Sequence, residues 1–293
     1  TITIQAEKNQ TAQVTISDVN INARSEGKAA ISTGGDGSVT IELDGDNTAK
    51  GGDYHAGVEK NNGGSLTIGD ADKDGKLTAE GGKYGAGIGG GEYGIGKDII
   101  ITGGEVNATG GRFSAGIGGG SRGTGSDITI SGGEVNASGG VNGAGIGGGL
   151  RSKGKDITVS GDTKLKVQGG DEDHYDGAGA GIGDGGSNAY GTKILGAEVE
   201  PDTSGLTTNG SIAYYAPGAD METDKPTSTT VGASSQPEKP TDPGAERGAD
   251  APLYRVTDQD GKDIAHKAER KDGVLTVTVD ADFAILTGKL SSI

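Results

Sequence analysis

The chain has 293 residues, of which 61 are glycine and 3% are aromatic, and it contains neither tryptophan nor cysteine. This composition excludes a conventional globular core, which needs large apolar side chains, and it excludes disulfides and thiolate metal sites. The formal net charge of −16 argues against nucleic acid as a partner, because phosphates attract basic surfaces.

A glycine-rich hexapeptide, Ala-Gly-Ile-Gly-Gly-Gly, recurs along the chain. Complete or degenerate copies occupy residues 56–58, 86–91, 115–120, 144–149 and 180–185. The steps between the corresponding aliphatic residues, from Val58 to Ile182, are 30, 29, 29 and 36. A period near 29 residues is typical of repeat proteins, in which stacked neighbouring units bury a shared interior.

Each repeat contains three short β-like triplets, separated by glycine pairs that permit tight corners. In the clearest repeat they are residues 99–101, 106–108 and 115–117, and residues 1–7 are expected to form an incomplete first rung. Further copies are residues 14–16, 39–41, 157–159, 165–167, 193–195 and 212–214. The pattern predicts an all-β fold, a single-stranded parallel β-helix of about seven coils with three short strands per coil. Right-handedness is the expected default for parallel crossovers.

The pattern divides the chain into three regions. Residues 1–215 are predicted to form the β-helix, and residues 216–250, which contain most of the prolines, an extended linker. Residues 251–293 are predicted to form a small β-strand module, either truncated or packed on the helix. Its expected strands are residues 253–256, 273–279 and 283–286, with a turn at residues 258–261.

An insertion of four residues after Ile68 contains the pattern Asp-x-Asp-x-Asp-Gly over residues 70–75. This pattern begins calcium loops of the EF-hand type, in which alternating carboxylates turn toward one ion. Gly81 replaces the bidentate glutamate of the twelfth position, and Glu80 comes one residue early. We therefore predict a weak calcium site, with a solvated acidic turn as the alternative. The expected ligands are Asp70, Asp72, Asp74, the carbonyl oxygen of Lys76, and Glu80.

A second insertion, of six residues, contains the acidic segment 171–176. Asp171, Asp173, His174 and Asp176 offer calcium ligands or the acid–base groups of a hydrolase or lyase. The alternative, which we favour, is a polar surface loop with a lone histidine. Insertions on a solenoid form loops on its outside, often on the binding face.

Aromatic residues recur at one position of successive repeats. Tyr54, Tyr84 and Phe113 each precede the aliphatic residue of their repeat by four positions, so they are expected to stack on adjacent coils. A row of rings suits sugar binding, because the C–H faces of sugars pack on π systems, and His55 adds a polar group beside Tyr54. The alternative is a purely structural aromatic ladder.

The runs Ser-Gly-Gly-Glu-Val-Asn-Ala at residues 131–137 and Ala-Gly-Ile-Gly-Gly-Gly at residues 144–149 resemble the glycine-rich β-helix repeats of secreted surface proteins of Gram-positive gut bacteria. Such regions are often described as carbohydrate-binding. The resemblance, over roughly residues 10–215, therefore implies a surface location and a glycan ligand but no catalytic residues. The Pro-Glu-Lys-Pro segment at residues 237–240 is similar to spacers of wall-attached proteins, although the sequence contains no Leu-Pro-x-Thr-Gly sorting motif.

Together these features predict a noncatalytic, extracellular or cell-surface solenoid of the adhesin type. It would display a face for glycans or host surface proteins and be stabilised by calcium. The chain begins at Thr1 rather than Met, as expected after removal of a signal peptide or in an excised piece of a longer protein. No run approaches the roughly 20 apolar residues of a membrane span. We expect a monomer without direct membrane insertion. Two alternatives stay open: a polysaccharide lyase or glycoside hydrolase, and a pure structural stalk.

Overall fold

A computed structural model of the protein describes residues 1–232 and four later strands within residues 254–288. The chain divides into two compact units, Thr1–Gln236 and Pro237–Ile293. The described residues form strands, turns and irregular segments. They include no helix with the length and apolar character of a membrane span.

The first unit is built from three sheets, and each sheet takes one strand from every complete coil. Sheet 1 consists, in spatial order, of β1 (Ile2–Gln5), β4 (Ile31–Gly34), β7 (Val58–Glu59), β10 (Ile88–Gly89), β13 (Ile117–Gly118), β16 (Ile146–Gly147) and β19 (Ile182–Gly183). Sheet 2 consists of β2 (Thr11–Ser17), β5 (Ser38–Asp44), β8 (Leu66–Gly69), β11 (Gly96–Ile101), β14 (Gly125–Ile130) and β17 (Gly154–Val159). Sheet 3 consists of β3 (Asn20–Asn22), β6 (Asp46–Lys50), β9 (Lys76–Glu80), β12 (Glu105–Thr109), β15 (Glu134–Ser138), β18 (Lys164–Gln168), β22 (Ser211–Tyr215) and β23 (Ser228–Val231).

The chain passes from sheet 1 to sheet 2 to sheet 3 and then begins the next coil. Apart from β23, each of these strands pairs in parallel with its counterpart one coil away. Strands β1 to β18 thus form six complete coils. Strands β19 and β22 belong to an incomplete seventh coil. The predicted all-β parallel β-helix with three short strands per coil is confirmed, with β1 as its first rung in sheet 1.

The interior contains aliphatic side chains stacked in columns. In sheet 1, Ile88, Ile117 and Ile146 are partners in the register, and all three are fully buried. In sheet 2, Ile101 and Ile130 form part of a second buried column. One coil alone cannot bury such residues, whereas stacked neighbours can, and β-branched side chains suit the pleated strands. The predicted inward direction of the repeated aliphatic residues is confirmed.

The backbone requires glycine directly after the isoleucine of the hexapeptide. Gly118 has a φ of 132°, in a region that is essentially restricted to glycine. A Cβ atom at this position would lie 2.2 Å from the carbonyl oxygen of Gly147 in the next coil. The equivalent residues Gly89, Gly147 and Gly183 have φ values of 135°, 133° and 139°. The sequence repeat therefore follows from a backbone repeat that lets the coils approach closely.

The end of the solenoid differs from the sequence prediction at residues 193–195. Instead of a strand of the last coil, β20 (Ser187–Ala189) and β21 (Thr192–Ile194) form an antiparallel hairpin whose second strand is exposed. The side chain of Glu198 accepts hydrogen bonds from the backbone N–H groups of Gly181 (2.7 Å) and Ile182 (3.1 Å). These N–H groups would otherwise bond to a further coil, so Glu198 ends sheet 1.

The predicted linker, residues 216–250, lies partly within the described structure. There the structure differs from the prediction, because β23 pairs antiparallel with β22 and adds a last strand to sheet 3. This strand covers a sheet edge that would otherwise be open. From residue 233 onward, the predicted linker lies outside the described residues.

The described residues of the second unit, Pro237–Ile293, form two antiparallel strand pairs. These are β24 (Tyr254–Thr257) with β27 (Ile285–Gly288), and β25 (His266–Lys271) with β26 (Val274–Val279). Strands β24, β26 and β27 overlap the segments predicted from the sequence, whereas β25 is an additional, polar strand. The predicted turn at residues 258–261 lies outside the described residues.

Candidate functional site

The corner between sheet 3 and sheet 1 contains the predicted aromatic residues. In each case a glycine pair ends the sheet 3 strand, and the ring follows two residues later. The ring centroids of Tyr54 and Tyr84 lie 5.5 Å apart and those of Tyr84 and Phe113 lie 6.1 Å apart, with interplanar angles of 20° and 19°. The predicted stacking of the three rings on adjacent coils is confirmed. We call this row the aromatic ladder.

Stacking covers most of the ring faces in the ladder. Tyr84 has a neighbouring ring on each side, Tyr54 before it and Phe113 after it. The guanidinium carbon of Arg112 lies 4.6 Å from the centroid of Phe113, and Nζ of Lys83 lies 5.0 Å from that of Tyr84. The middle of the ladder therefore presents ring edges and cations rather than open faces.

The exception is the face of Tyr54 that points toward the first coil. Because Ile31 pairs with Val58, the ladder position in the first coil is the residue four places before Ile31, which is Gly27. A Cβ atom at Gly27 would have no heavy atom within 4 Å, and Tyr54 is 54% exposed. The ladder thus ends in one uncovered aromatic face. Sequence reasoning did not include Gly27, although the register that predicts the ladder also marks this position.

His55, the predicted polar neighbour of Tyr54, is held by a buried carboxylate. Its Nδ1 atom lies 2.8 Å from Oε2 of Glu59, which is 7% exposed. Glu59 also accepts hydrogen bonds from the backbone N–H of Ala56 and from the side chain of Asn61. The imidazole is therefore fixed beside Tyr54, and its Nε2 atom forms no hydrogen bond with the residues that the structure describes.

A groove of about 450 Å³ lies at the same corner, and its lining includes the residue directly before each ladder ring but not the rings themselves. Its floor consists of glycine pairs from successive coils, which approach so closely that a Cβ atom on Gly111 would lie 1.6 Å from the carbonyl oxygen of Gly82. Side chains are therefore confined to its walls. These side chains belong to Arg24, Asp53, Glu80, Lys83, Thr109 and Arg112.

Two cations bind the Glu80 carboxylate at one end of this groove. Arg24 Nη2 and Lys50 Nζ lie 2.8 Å and 2.7 Å from its oxygen atoms. Burial opposes ionisation of Glu80, yet these hydrogen bonds and charges hold its pKa below the usual value. Glu80 therefore joins the first three coils across sheet 3 by ion pairs.

The inserted acidic corner between β8 and β9 brings together some of the predicted calcium ligands. Carboxylate oxygens of Asp70 and Asp72 lie within 4.8 Å of each other and of Glu42 from the preceding coil. Asp70 also accepts hydrogen bonds from the backbone N–H groups of Lys73 and Gly75, which orders the corner. Sequence reasoning missed Glu42, although Glu42 pairs with Gly69, the residue directly before Asp70.

The other predicted ligands lie outside this group, which corrects the EF-hand-like arrangement. Asp74 is not part of the cluster. Lys76 begins strand β9, and its carbonyl oxygen accepts a hydrogen bond of 3.2 Å from the side chain of Asn47. Glu80 ends the same extended strand, about 13 Å further along, and its ion pairs hold it there. The chain leaves the corner as a strand, whereas an EF-hand loop would fold back around the ion.

The second acidic loop uses its side chains in local contacts. Asp176 is buried and forms a bidentate pair with Arg151, with distances of 2.8 Å and 3.0 Å. Burial opposes ionisation of Asp173, but backbone N–H groups of Asp176 and Tyr175 hold the pKa of Asp173 below its usual value. His174 packs edge-on against Tyr175, with centroids 4.8 Å apart.

These contacts separate the groups that were predicted to share a metal or to act as acid and base. Asp171 contributes its backbone carbonyl to the N–H of Asn142 at 2.8 Å. Within residues 1–232, the acidic and histidine side chains that converge as a group of three are those of Glu42, Asp70 and Asp72, and none of them belongs to this loop. The geometry thus favours a structural surface loop here.

Calcium binding at the inserted corner stays a prediction. The converging carboxylates now indicate which substitutions would test it. At tenfold excess over Kd, calcium bound only to the folded state should add about 1.4 kcal/mol to the free energy of unfolding. We expect millimolar calcium to raise the melting temperature and a chelator to reverse the change. The Glu42→Gln, Asp72→Asn double variant should lose this response, whereas Asp74→Asn should keep it. Absence of both calorimetric heat and a chelator-sensitive melting shift in the parent would exclude the site.

Comparison with known proteins agrees with the architecture. A family model described as Beta helix repeat matches residues 73–92, 99–121 and 128–150, which lie in the central coils. No curated protein and no solved structure matches the chain. The match supports a parallel β-helix repeat region.

Proposed function

We propose that the protein is a noncatalytic, extracellular or cell-surface solenoid that binds carbohydrate chains at the aromatic corner. The observation behind the proposal is the uncovered face of Tyr54, which lies next to a groove without side chains on its floor. A sugar ring can place its C–H face on this ring while its hydroxyl groups reach His55 and the polar groove walls. Tyr84 and Phe113 then serve as a rigid support.

The supporting stack favours a binding role for Tyr54. Immobilising a side chain on binding costs roughly 0.5–1.5 kcal/mol, and a ring that is already stacked has lost part of this freedom. Tyr54 contacts Tyr84 on one face and leaves the other face to solvent. A ladder that served packing alone would gain further stability from an aromatic residue at Gly27 as well.

The enzyme alternative is less well supported at this corner. Glycoside hydrolysis usually needs two carboxyl groups about 5–10 Å apart that face the same sugar. Glu59 is bound to His55 and to the backbone of Ala56, and Glu80 is bound to Arg24 and Lys50. Both of these carboxylates therefore have structural partners, and Asp53 is left as a single carboxylate on the described groove wall, which favours binding without catalysis.

Replacing Gly27 with Phe is expected to weaken glycan binding without removing any residue of the site. The new ring would extend the ladder by one step and cover the open face of Tyr54. A φ of 60° at Gly27 strains any side chain, but Phe113 adopts a φ of 76° at the same ladder position, which shows that a phenylalanine can occupy such a backbone. We expect a loss of about tenfold or more in affinity, which corresponds to roughly 1.4 kcal/mol. A glycan array would identify the ligand, and calorimetry would measure the affinities.

Three further variants complete this test. Gly27→Asn keeps a residue that tolerates positive φ but adds no ring, so it should bind as the parent does. Tyr54→Ala should lose binding, and Tyr84→Ala should weaken it with a change of only a few degrees in melting temperature. Equal affinity of Gly27→Phe and the parent for a bound glycan would contradict the platform. An array without any bound glycan would favour the structural stalk.

A further inference from the structure

We propose that the groove beside the aromatic ladder selects acidic glycans, which bear carboxylate or sulfate groups, over neutral ones. This inference rests on the proposed glycan-binding function and adds the charge of the ligand to it. It is carried by two cations, Lys83 and Arg112, that lie on the groove wall next to the ring stack. Cations at this place stand out because the formal net charge of the chain is −16.

The two cations occupy equivalent positions on neighbouring coils. Lys83 directly precedes Tyr84, and Arg112 directly precedes Phe113. Stacked parallel strands are about 4.8 Å apart, so the two head groups start from backbone positions separated by about that distance. Each head group also lies near its ring, which limits its freedom and keeps it at the groove. The pair therefore forms a short, ordered row of positive charge along the solenoid axis.

Carboxylates compensate this row only in part: Asp173 forms a long ion pair of 3.9 Å with Arg112, and Asp53 is near enough to Lys83 to raise its pKa. Glu80 already accepts ion pairs from both Arg24 and Lys50. Asp53 is the other carboxylate among the wall residues. Within the described groove, cationic side chains therefore outnumber anionic ones, and an acidic ligand meets a locally favourable potential on an otherwise acidic molecule.

The two head groups also keep hydrogen-bond donors for a ligand. Arg112 forms a long ion pair with Asp173, whose nearest oxygen is 3.9 Å from Nη2; this distance is beyond a hydrogen bond, so the N–H groups of the guanidinium can still donate to a ligand. Both Lys83 and Arg112 are exposed to solvent. The neighbouring Tyr84 hydroxyl raises the pKa of Lys83, which favours its charged ammonium form. Guanidinium and ammonium groups are both suited to carboxylate and sulfate oxygens.

The shape of the groove favours an extended polymer. Its lining comes from four successive coils, from Arg24 in the first to Arg112 in the fourth, so it spans about 14 Å. The glycine floor lets a flat chain approach the backbone, and Tyr54 offers a platform for one of its rings.

The test compares acidic glycans with their neutral counterparts. Calorimetry would use an oligogalacturonate and its carboxyl-reduced form, and a sulfated galactan and its desulfated form, at low and high salt. The parent should bind each acidic form about tenfold tighter or more, and salt should reduce the difference. The Lys83→Gln, Arg112→Gln double variant should lose the preference. The Lys97→Gln, Arg122→Gln variant makes the same change in net charge away from the groove and should keep it.

Each of the other outcomes would overturn the charge selection, and one of them would overturn the proposed function as well. Equal affinity for acidic and neutral forms, or array hits confined to neutral glycans, would overturn the charge selection and leave the proposed function intact. A preference that survives the Lys83→Gln, Arg112→Gln changes would also overturn it. Competition by polyglutamate as strong as that by oligogalacturonate would show charge attraction without sugar recognition. Binding of no glycan at all would overturn both this inference and the proposed function.

Discussion

Replacing Ile117 with Asp is expected to prevent the central coils from folding. Ile117 is fully buried in the sheet 1 column between Ile88 and Ile146. A carboxyl group there would have no polar partner among these side chains. Burying it costs several kcal/mol even if it takes up a proton and becomes neutral, because its polar atoms lose their hydrogen bonds to water. We expect a loss of more than about 4 kcal/mol, a large part of the 5–15 kcal/mol that stabilises a typical domain.

The matched control is Ile100→Asp. Ile100 lies in β11 between the buried residues Ile99 and Ile101, and its own side chain faces outward and is only partly buried. The same substitution there should cost about 1 kcal/mol or less, mainly through β-propensity. Circular dichroism melts of the two variants would measure the difference, and hydrogen exchange would show which coils lose protection. A parent-like melt of Ile117→Asp would mean that the proposed register is wrong.

The sequence predicted the interior of the β-helix because identical coils must place identical residues in register. Spacings of 29 residues between Ile88, Ile117 and Ile146 become direct Cα pairing in sheet 1. The same rule predicted the ring stack. It failed at residues 193–195, because a single side chain, Glu198, replaces the hydrogen bonds of a further coil, and a repeat pattern does not reveal where such a cap acts.

The calcium corner shows why a linear motif is a weaker guide than the register. The motif assumes that Asp74 and Glu80 fold back toward Asp70, as in an isolated loop. In a solenoid the neighbours of a corner come from the preceding coil, and Glu42 comes close for that reason. The residue types of the corner were therefore predictable, whereas the group that converges required pairing across coils.

The aromatic ladder shows a similar division between what could and could not be predicted. Tyr54, Tyr84 and Phe113 each stand four residues before the aliphatic residue of their repeat, and this spacing predicted that they form one row. A sugar platform depends on which ring faces are open, and that depends on ring spacing and on the residue at the end of the row. Gly27 leaves the last face free, and the cations of Lys83 and Arg112 cover parts of the others.

Gly118→Ala is expected to be among the most damaging methyl-sized substitutions in the solenoid. An alanine at a φ of 132° occupies a region that costs of order 1–3 kcal/mol for non-glycine residues. Its Cβ atom would also lie 2.2 Å from the carbonyl oxygen of Gly147, a rigid backbone atom of the next coil. Sheet 1 would have to open at this point, which removes the hydrogen bonds between β13 and β16. We expect a loss of at least about 3 kcal/mol.

Gly191→Ala separates the two causes of this loss. Gly191 has a φ of 80°, but a Cβ atom there would meet no heavy atom within 4 Å. This variant therefore has strain at positive φ without the clash, and it should cost about 1 kcal/mol. Thermal melts would measure both, with an expected drop of roughly 6–12 °C for Gly118→Ala. Equal melting temperatures for the two alanine variants would show that close stacking of coils does not dictate glycine in the hexapeptide. A much lower melting temperature for Gly118→Ala than for Gly191→Ala would establish that the close approach of neighbouring coils requires glycine at this position of the repeat.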